Sequence, residues 1–157
     1  MILRLTKAKG DKPGTLTCLR DDGSCTWQRS SEYFAHHDLI HYAVETTLGY
    51  GDAFLGLVAK GRDLDLFGTR NGVKDVYTEE EGWAEGIAGA VQWPMFSGGP
   101  PLSDAEVLAV LQQTCEAHEV PAPPITAAQI GEIRQKVKAL HAQWHHVPEG
   151  GMMQLTF

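Results

Sequence analysis

The stretch Ser31-Glu32-Tyr33-Phe34-Ala35-His36-His37-Asp38-Leu39-Ile40-His41-Tyr42-Ala43-Val44-Glu45-Thr46-Thr47-Leu48 decides the fold, because it reads as one long helix around which the rest of the chain packs. Ser30, Ser31 and Glu32 supply capping side chains at its start, and Gly49 and Gly51 break it at its end. At about 100° per residue with Tyr33 as zero, Ile40, Val44, His37, Leu48, His41 and Phe34 share an arc from roughly 340° to 100°. His37 and His41 therefore face the interior. Glu45 and Asp38 flank them at roughly 120° and 140°, while Tyr42 and His36 point elsewhere.

Toward the N-terminus the chain reads as β structure. Ile2 to Thr6, Thr15 to Leu19 and Cys25 to Trp27 are short strand-like runs, separated by the turn clusters Gly10-Asp11-Lys12-Pro13-Gly14 and Asp21-Asp22-Gly23-Ser24. A three-stranded antiparallel meander follows.

Toward the C-terminus, a short helix is expected from Ala53 to Lys60, closed by Gly61, and then a loop from about Arg62 to Thr78 with a short extended piece at Val73-Lys74-Asp75-Val76-Tyr77. Glu79-Glu80-Glu81 opens a helix running through Trp93, with its acidic charge on the favourable N-terminal end of the dipole. Ser97-Gly98-Gly99-Pro100-Pro101 is a break. Ser103-Asp104-Ala105-Glu106 then matches a capping box for a helix reaching about His118. Thr126 caps a last helix whose apolar positions Ile130, Ile133, Val137, Leu140 and Trp144 recur at helical spacing. The tail Met152-Met153-Gln154-Leu155-Thr156-Phe157 reads as a strand that joins the meander and brings the termini together. The expected architecture is a single α+β domain over residues 1–157, a small antiparallel sheet packed with four to five helices.

With 157 residues the chain has enough material for a core without disulfide or metal staples. The net charge is −7 and the Lys and Arg residues are scattered, so no basic stripe is present to neutralise phosphates and nucleic acid is not an expected partner. Cys18, Cys25 and Cys115 form an odd set without a C-x-x-C pair, which argues against a disulfide framework or a thiolate zinc ribbon. A reducing cytoplasm is the expected compartment. No run approaches the ~20 apolar residues needed to cross a bilayer, so no membrane partner is expected either.

The chemistry concentrates on the long helix. His37 and His41 lie four residues apart, roughly 40° around the axis and 6 Å along it, so both imidazoles can converge on one ion. Two neutral imidazoles on an inward face need hydrogen-bond partners, and a carboxylate at the same rim needs a counter-charge. A divalent metal ion satisfies all of these. Zinc stands first among the ions that imidazole suits, with iron, nickel and manganese as the others. His37, His41 and Glu45 are the expected metal residues, with Glu45 either a third ligand or a supporting group. Asp38 is the expected catalytic residue, as general base or as the acceptor that orients an imidazole. A straight helix places His37 and Glu45 roughly 12 Å apart along its axis, so a further ligand from another segment is expected, with Glu85 and His141 as candidates.

His37-Asp38-Leu39-Ile40-His41 is the aspartate version of the H-E-x-x-H pattern. Together with the Gly-bearing turn and Leu55-Gly56-Leu57, this H-D-x-x-H string resembles the metal-binding helix of the coenzyme Q biosynthesis family over some twenty residues. The resemblance implies a zinc-type ion bound through the motif. That family carries a glutamate soon after the second histidine, where this chain has Leu57, so Glu45 or Asp52 would have to substitute. The wording H-D-L-x-H-Y-A-V-E also resembles small bacterial proteins of uncharacterised function, which implies no activity.

Two functional readings follow. One is a divalent-metal-binding protein, a metal-dependent hydrolase or lyase acting on a small-molecule substrate. The other is a non-catalytic binding or assembly module in which His37 and His41 are structural core residues, one donating to a backbone carbonyl and the other to Glu45, with Asp38 as the exposed partner of an arginine. A second pair, His141 and His145, repeats the four-residue spacing near a helix C-terminus, where the dipole alone favours histidine. Glu79, Glu80 and Glu81 read as a solvated helix start. Trp27, Trp83, Trp93 and Trp144 read as packing anchors.

Overall fold

The computed structural model describes residues 1–67, 78–97, 100–117 and 119–157, and of 93–97 the backbone only. In chain order the elements are β1 (Ile2–Thr6), β2 (Thr15–Leu19), β3 (Cys25–Arg29), α1 (Glu32–Leu48), α2 (Phe54–Ala59), a 3₁₀ turn (Leu64–Leu66), α3 (Glu79–Ser97), α4 (Asp104–Ala117), α5 (Ala127–His146) and β4 (Met152–Thr156). The fold is mixed α+β, a four-stranded antiparallel sheet in the order β3-β2-β1-β4 with five helices. β4 returns to pair with β1 in the register Leu3↔Leu155 and Leu5↔Met153. The termini close the sheet, with the Met1 amine donating to the Phe157 carbonyl at 2.9 Å and the Phe157 amide donating to the Met1 carbonyl at 2.9 Å.

Strand alternation gives the sheet two different faces. Leu3, Leu5, Leu16, Cys18, Thr26 and Met153 point to the buried side. There the apolar ones meet Leu39, Ile40, Ala43 and Val44 of α1 and Ile133, Val137, Leu140 and Trp144 of α5 in one cluster. α3 packs on another flank of α1, and α4 packs on α3. A Cβ on Gly86 would stand 2.8 Å from Leu111 Cδ1, so the absence of a side chain there is what lets α3 and α4 approach.

The helix ends follow the capping signals. Ser31 Oγ accepts from the Phe34 amide at 3.3 Å, and Gly49 closes α1 in the left-handed conformation at φ 72°. Ser103 and Glu106 bond reciprocally at the start of α4, as do Thr126 and Gln129 at the start of α5. α3 runs to Ser97 rather than ending at Trp93, so Pro94 lies inside it. A proline removes one backbone hydrogen bond, but Met95 and Phe96 are compatible with continued helix, and the run of Gly98-Gly99-Pro100-Pro101 is the stronger stop.

Three sequence expectations are corrected. Glu81 is buried, not part of a solvated helix start. Its carboxylate accepts from the Thr78 amide at 2.9 Å, its own amide donates to Thr78 Oγ1 at 3.0 Å, and Arg62 stands 3.4 Å away. Trp27 is exposed on the outer sheet face, because alternation turns its neighbour Thr26 inward. Trp144 is a core residue and Trp83 packs half-buried beside Tyr50. Asp38 is buried and not an exposed partner of an arginine. The extended piece expected at 73–77, the helix end at His118 and the packing of the Trp93 side chain lie outside the described residues. Among the described residues, no helix is long and apolar enough to cross a membrane.

Candidate metal centre

α1 and α3 bring three ligand-type side chains to one point. The His37 and His41 rings come from successive turns of α1, and their Nε2 atoms stand 3.1 Å apart. Glu85 of α3 reaches the same place, with Oε1 at 3.4 Å from His41 Nε2 and Oε2 at 3.7 Å from His37 Nε2. His37, His41 and Glu85 form a group that could hold a metal ion, their ligand atoms all lying within 4.8 Å of one another. Ligands about 2.0–2.2 Å from a tetrahedral zinc ion stand about 3.3–3.6 Å from each other, so the His37, His41 and Glu85 atoms are close enough together to reach a single ion.

Each ring also has an oxygen beside its far nitrogen, hydrogen-bonded for His37 only. His37 Nδ1 is 2.8 Å from Gln92 Oε1, an acceptor that favours the tautomer with its proton on Nδ1 and its lone pair on Nε2. Gln92 lies seven residues after Glu85, on the same stripe of α3. His41 Nδ1 is 3.4 Å from Glu45 Oε1, within ion-pair range but without hydrogen-bond geometry. Glu45 in turn is fully buried, and its Oε2 accepts from the backbone amides of Leu55 at 2.9 Å and Gly56 at 3.0 Å, the open first turn of α2. A Cβ on Gly56 would lie 2.4 Å from the Gly51 carbonyl oxygen, so only glycine lets the turn close tightly enough to present that amide.

The electrostatics follow from burial and from the carboxylates. Burial pulls His41 toward neutrality, but Glu45 and Glu85 outweigh it and the imidazole is pushed up to about 10. His37 is lowered, first by burial and then by the neighbouring His41. Burial drives the Asp38 carboxyl up to about 7, against the opposing effect of His41. Asp38 Oδ2 has no hydrogen-bond partner.

The expected residues are thus distributed in a definite way. His37 and His41 converge. Glu45 stands behind His41 and not at the cluster, because its carboxylate is drawn to the α2 amides. Of the two candidates from other segments, Glu85 joins the cluster. His141 lies elsewhere, edge-to-face on the His36 ring at a centroid distance of 4.4 Å, with Nε2 3.3 Å from the His36 carbonyl oxygen. Gln92 escaped the sequence reading because an amide is neither titratable nor a common ligand. Its spacing from Glu85 was the available signal. Comparison with protein-family models, with curated proteins and with solved structures finds no match for this chain.

Proposed function

We propose that this protein holds a divalent metal ion, zinc foremost, on His37, His41 and Glu85, and uses it in the hydrolysis or lysis of a small molecule. The observation that carries the reading is the convergence of His37 Nε2, His41 Nε2 and a Glu85 oxygen on one point, with an acceptor placed behind each ring. Metal-bound imidazoles characteristically donate their second N–H to a carboxylate or carbonyl oxygen, and Glu45 and Gln92 stand where those acceptors are needed. Three protein ligands leave at least one coordination position for water or substrate, the arrangement of a catalytic and not a closed structural site. The ion would polarise a substrate oxygen or lower the pKa of a bound water. Asp38 is the group proposed to carry the proton. Both Glu45 oxygens are engaged by amides, whereas Asp38 Oδ2 is unpartnered and the carboxyl titrates near neutral pH.

A second reading draws on His41 itself. Held between Glu45 and Glu85, an imidazolium would balance the carboxylates without an ion, as expected of a non-catalytic module with structural histidines. Metal analysis separates the two. Protein purified without a His-tag and supplemented with zinc, iron, manganese and nickel should retain about one ion per chain, and a His37→Ala/His41→Ala variant less than ~0.1. Wild-type protein below ~0.1 ion per chain after supplementation sinks the metal reading. The catalytic half is tested with a panel of activated esters, amides and phosphoesters. Turnover should be chelator-sensitive and lost in Asp38→Asn while metal is retained, and a loaded protein that turns over none of them would point to a scaffold.

A further inference from the structure

The two edges of the sheet differ. In an antiparallel pair the backbone hydrogen bonds fall on alternate residues, and the residues between them turn their N–H and C=O groups the other way. β1 bonds β4 through the pair Met1–Phe157 at one end and through the Lys7 amide and Gly151 carbonyl at the other, so the Thr156 carbonyl points to the free edge. Tyr42 Oη caps that carbonyl, donating to it at 2.9 Å. On the opposite side, the Arg20 amide bonds the Ser24 carbonyl and the Ser30 amide bonds the Gly14 carbonyl, which leaves the backbone groups of Cys25, Trp27 and Arg29 on the outer edge of β3. Among the described residues, nothing bonds to them.

The β3 edge also lacks the usual protection. Free edges are blunted by a central charge, a proline, a bulge or a covering element. β3 reads Cys-Thr-Trp-Gln-Arg, pairs with β2 in unbroken register and carries its one charge at its last residue. Trp27, at its middle, is 60% exposed. The 3₁₀ turn, whose Leu64 amide donates to Thr26 Oγ1, leaves Leu66 42% exposed.

We infer that β3 pairs antiparallel with β3 of a second copy of this chain, across a two-fold axis at Trp27, to give one eight-stranded sheet. The strand is complementary to itself in this register, the one that pairs all five residues of both strands. The two Trp27 residues exchange backbone hydrogen bonds and place their rings side by side on the outer face. Cys25 stands opposite the partner's Arg29, so the two guanidinium groups lie about 13 Å apart along the strands and like charges do not meet. A second copy fits better than an unrelated strand because one dyad consumes both open edges. The dimer then ends only in two β4 edges, each capped by Tyr42, and adds no further copies.

Sedimentation velocity from about 1 to about 200 µM should show the wild-type chain passing from monomer to dimer. Trp27→Lys places a guarding charge at an exposed edge position and should weaken dimerisation at least about tenfold with an unchanged circular dichroism spectrum. The register is read separately by oxidation. In Arg29→Cys, the new thiol faces the partner's Cys25 with Cα atoms about 5.5 Å apart, within disulfide reach. Mild oxidation should give a reducible cross-linked dimer, and adding Cys25→Ser should abolish it, because the remaining introduced thiols stand about 13 Å apart and Cys18 and Cys115 are buried. This second experiment keeps Trp27 and decides the register even where Trp27→Lys fails to fold. A wild-type chain that stays monomeric to about 200 µM, a dimer indifferent to a folded Trp27→Lys, no cross-link in Arg29→Cys, or a cross-link that survives Cys25→Ser overturns the inference.

Discussion

Helix α1 makes two histidine contacts, one on each flank, and they differ in everything but residue type. Toward α3, His37 and His41 turn their Nε2 atoms to each other and to Glu85, with Gln92 and Glu45 behind them. Toward α5, the His36 and His141 rings meet edge-to-face, His36 Nε2 is 3.5 Å from the largely exposed Glu32, and His36 Nδ1 is buried without a partner. Burial lowers the pKa of both histidines of that second pair. The first arrangement brings two ring nitrogens and a carboxylate to one point, and the second packs two rings edge-to-face. Four-residue or cross-helix histidine spacing therefore does not by itself bring ligand atoms together; the third side chain from α3 distinguishes the two flanks.

That contrast is open to attack at several strengths. The largest expected effect is on metal affinity. His41→Ala should weaken zinc binding by more than about 100-fold, since even loss of a group behind a ligand costs 10–100-fold, while His141→Ala should leave the zinc titration unchanged. Equal losses in the two variants would erase the distinction between the flanks.

Next come the supporting acceptors. Gln92→Ala should cost roughly 10–100-fold in zinc affinity with little change in fold. Glu45→Ala should cost affinity to a similar degree and also destabilise the metal-free protein, by about 1–3 kcal/mol in urea denaturation, because it orphans the buried Leu55 and Gly56 amides. A Glu45→Ala protein of unchanged stability would mean that α2 does not depend on that carboxylate.

A pH effect of intermediate size is expected from Asp38. Its carboxyl titrates at about 7 in the folded chain, above its value in the unfolded chain, so the folded state binds the proton more tightly. The associated stability is greatest below about pH 4 and is lost as pH rises through 7. In chelator-treated protein, Asp38→Asn should flatten this dependence and be more stable than wild type at pH 8, by about 2–4 kcal/mol, with the difference shrinking toward pH 4. A variant less stable than wild type at pH 8 would contradict the assignment. The smallest effect belongs to the α5 flank, where His141→Phe keeps an aromatic edge against His36 and should change stability by less than about 1 kcal/mol in the same denaturation assay.

Much of the fold was legible because it is written in local signals. Ser31 and Gly49 bound α1, Thr126 begins α5, and the alternation in Ile2–Thr6 and Met152–Thr156 gives two strands that pair across the whole chain. The inward direction of His37 and His41 followed from helical angles alone. The site's third member was legible only as a candidate, since nothing local distinguishes Glu85 from other acidic residues of α3. The role of Glu45 depended on a tertiary event, the docking of α2 so that the Leu55 and Gly56 amides capture its carboxylate. Periodicity within α1 cannot report that. Trp27 and Glu81 were misread for a related reason: residue type suggested burial for one and solvent for the other, and neighbours decided otherwise.

The most direct test of the central claim is anomalous diffraction at the zinc edge from crystals grown with stoichiometric zinc. One peak is predicted between α1 and α3, about 2.0–2.1 Å from His37 Nε2 and His41 Nε2 and about 2.0–2.2 Å from a Glu85 oxygen. A zinc-loaded crystal with no peak at that point, or with its peak beside His36 and His141, would contradict it.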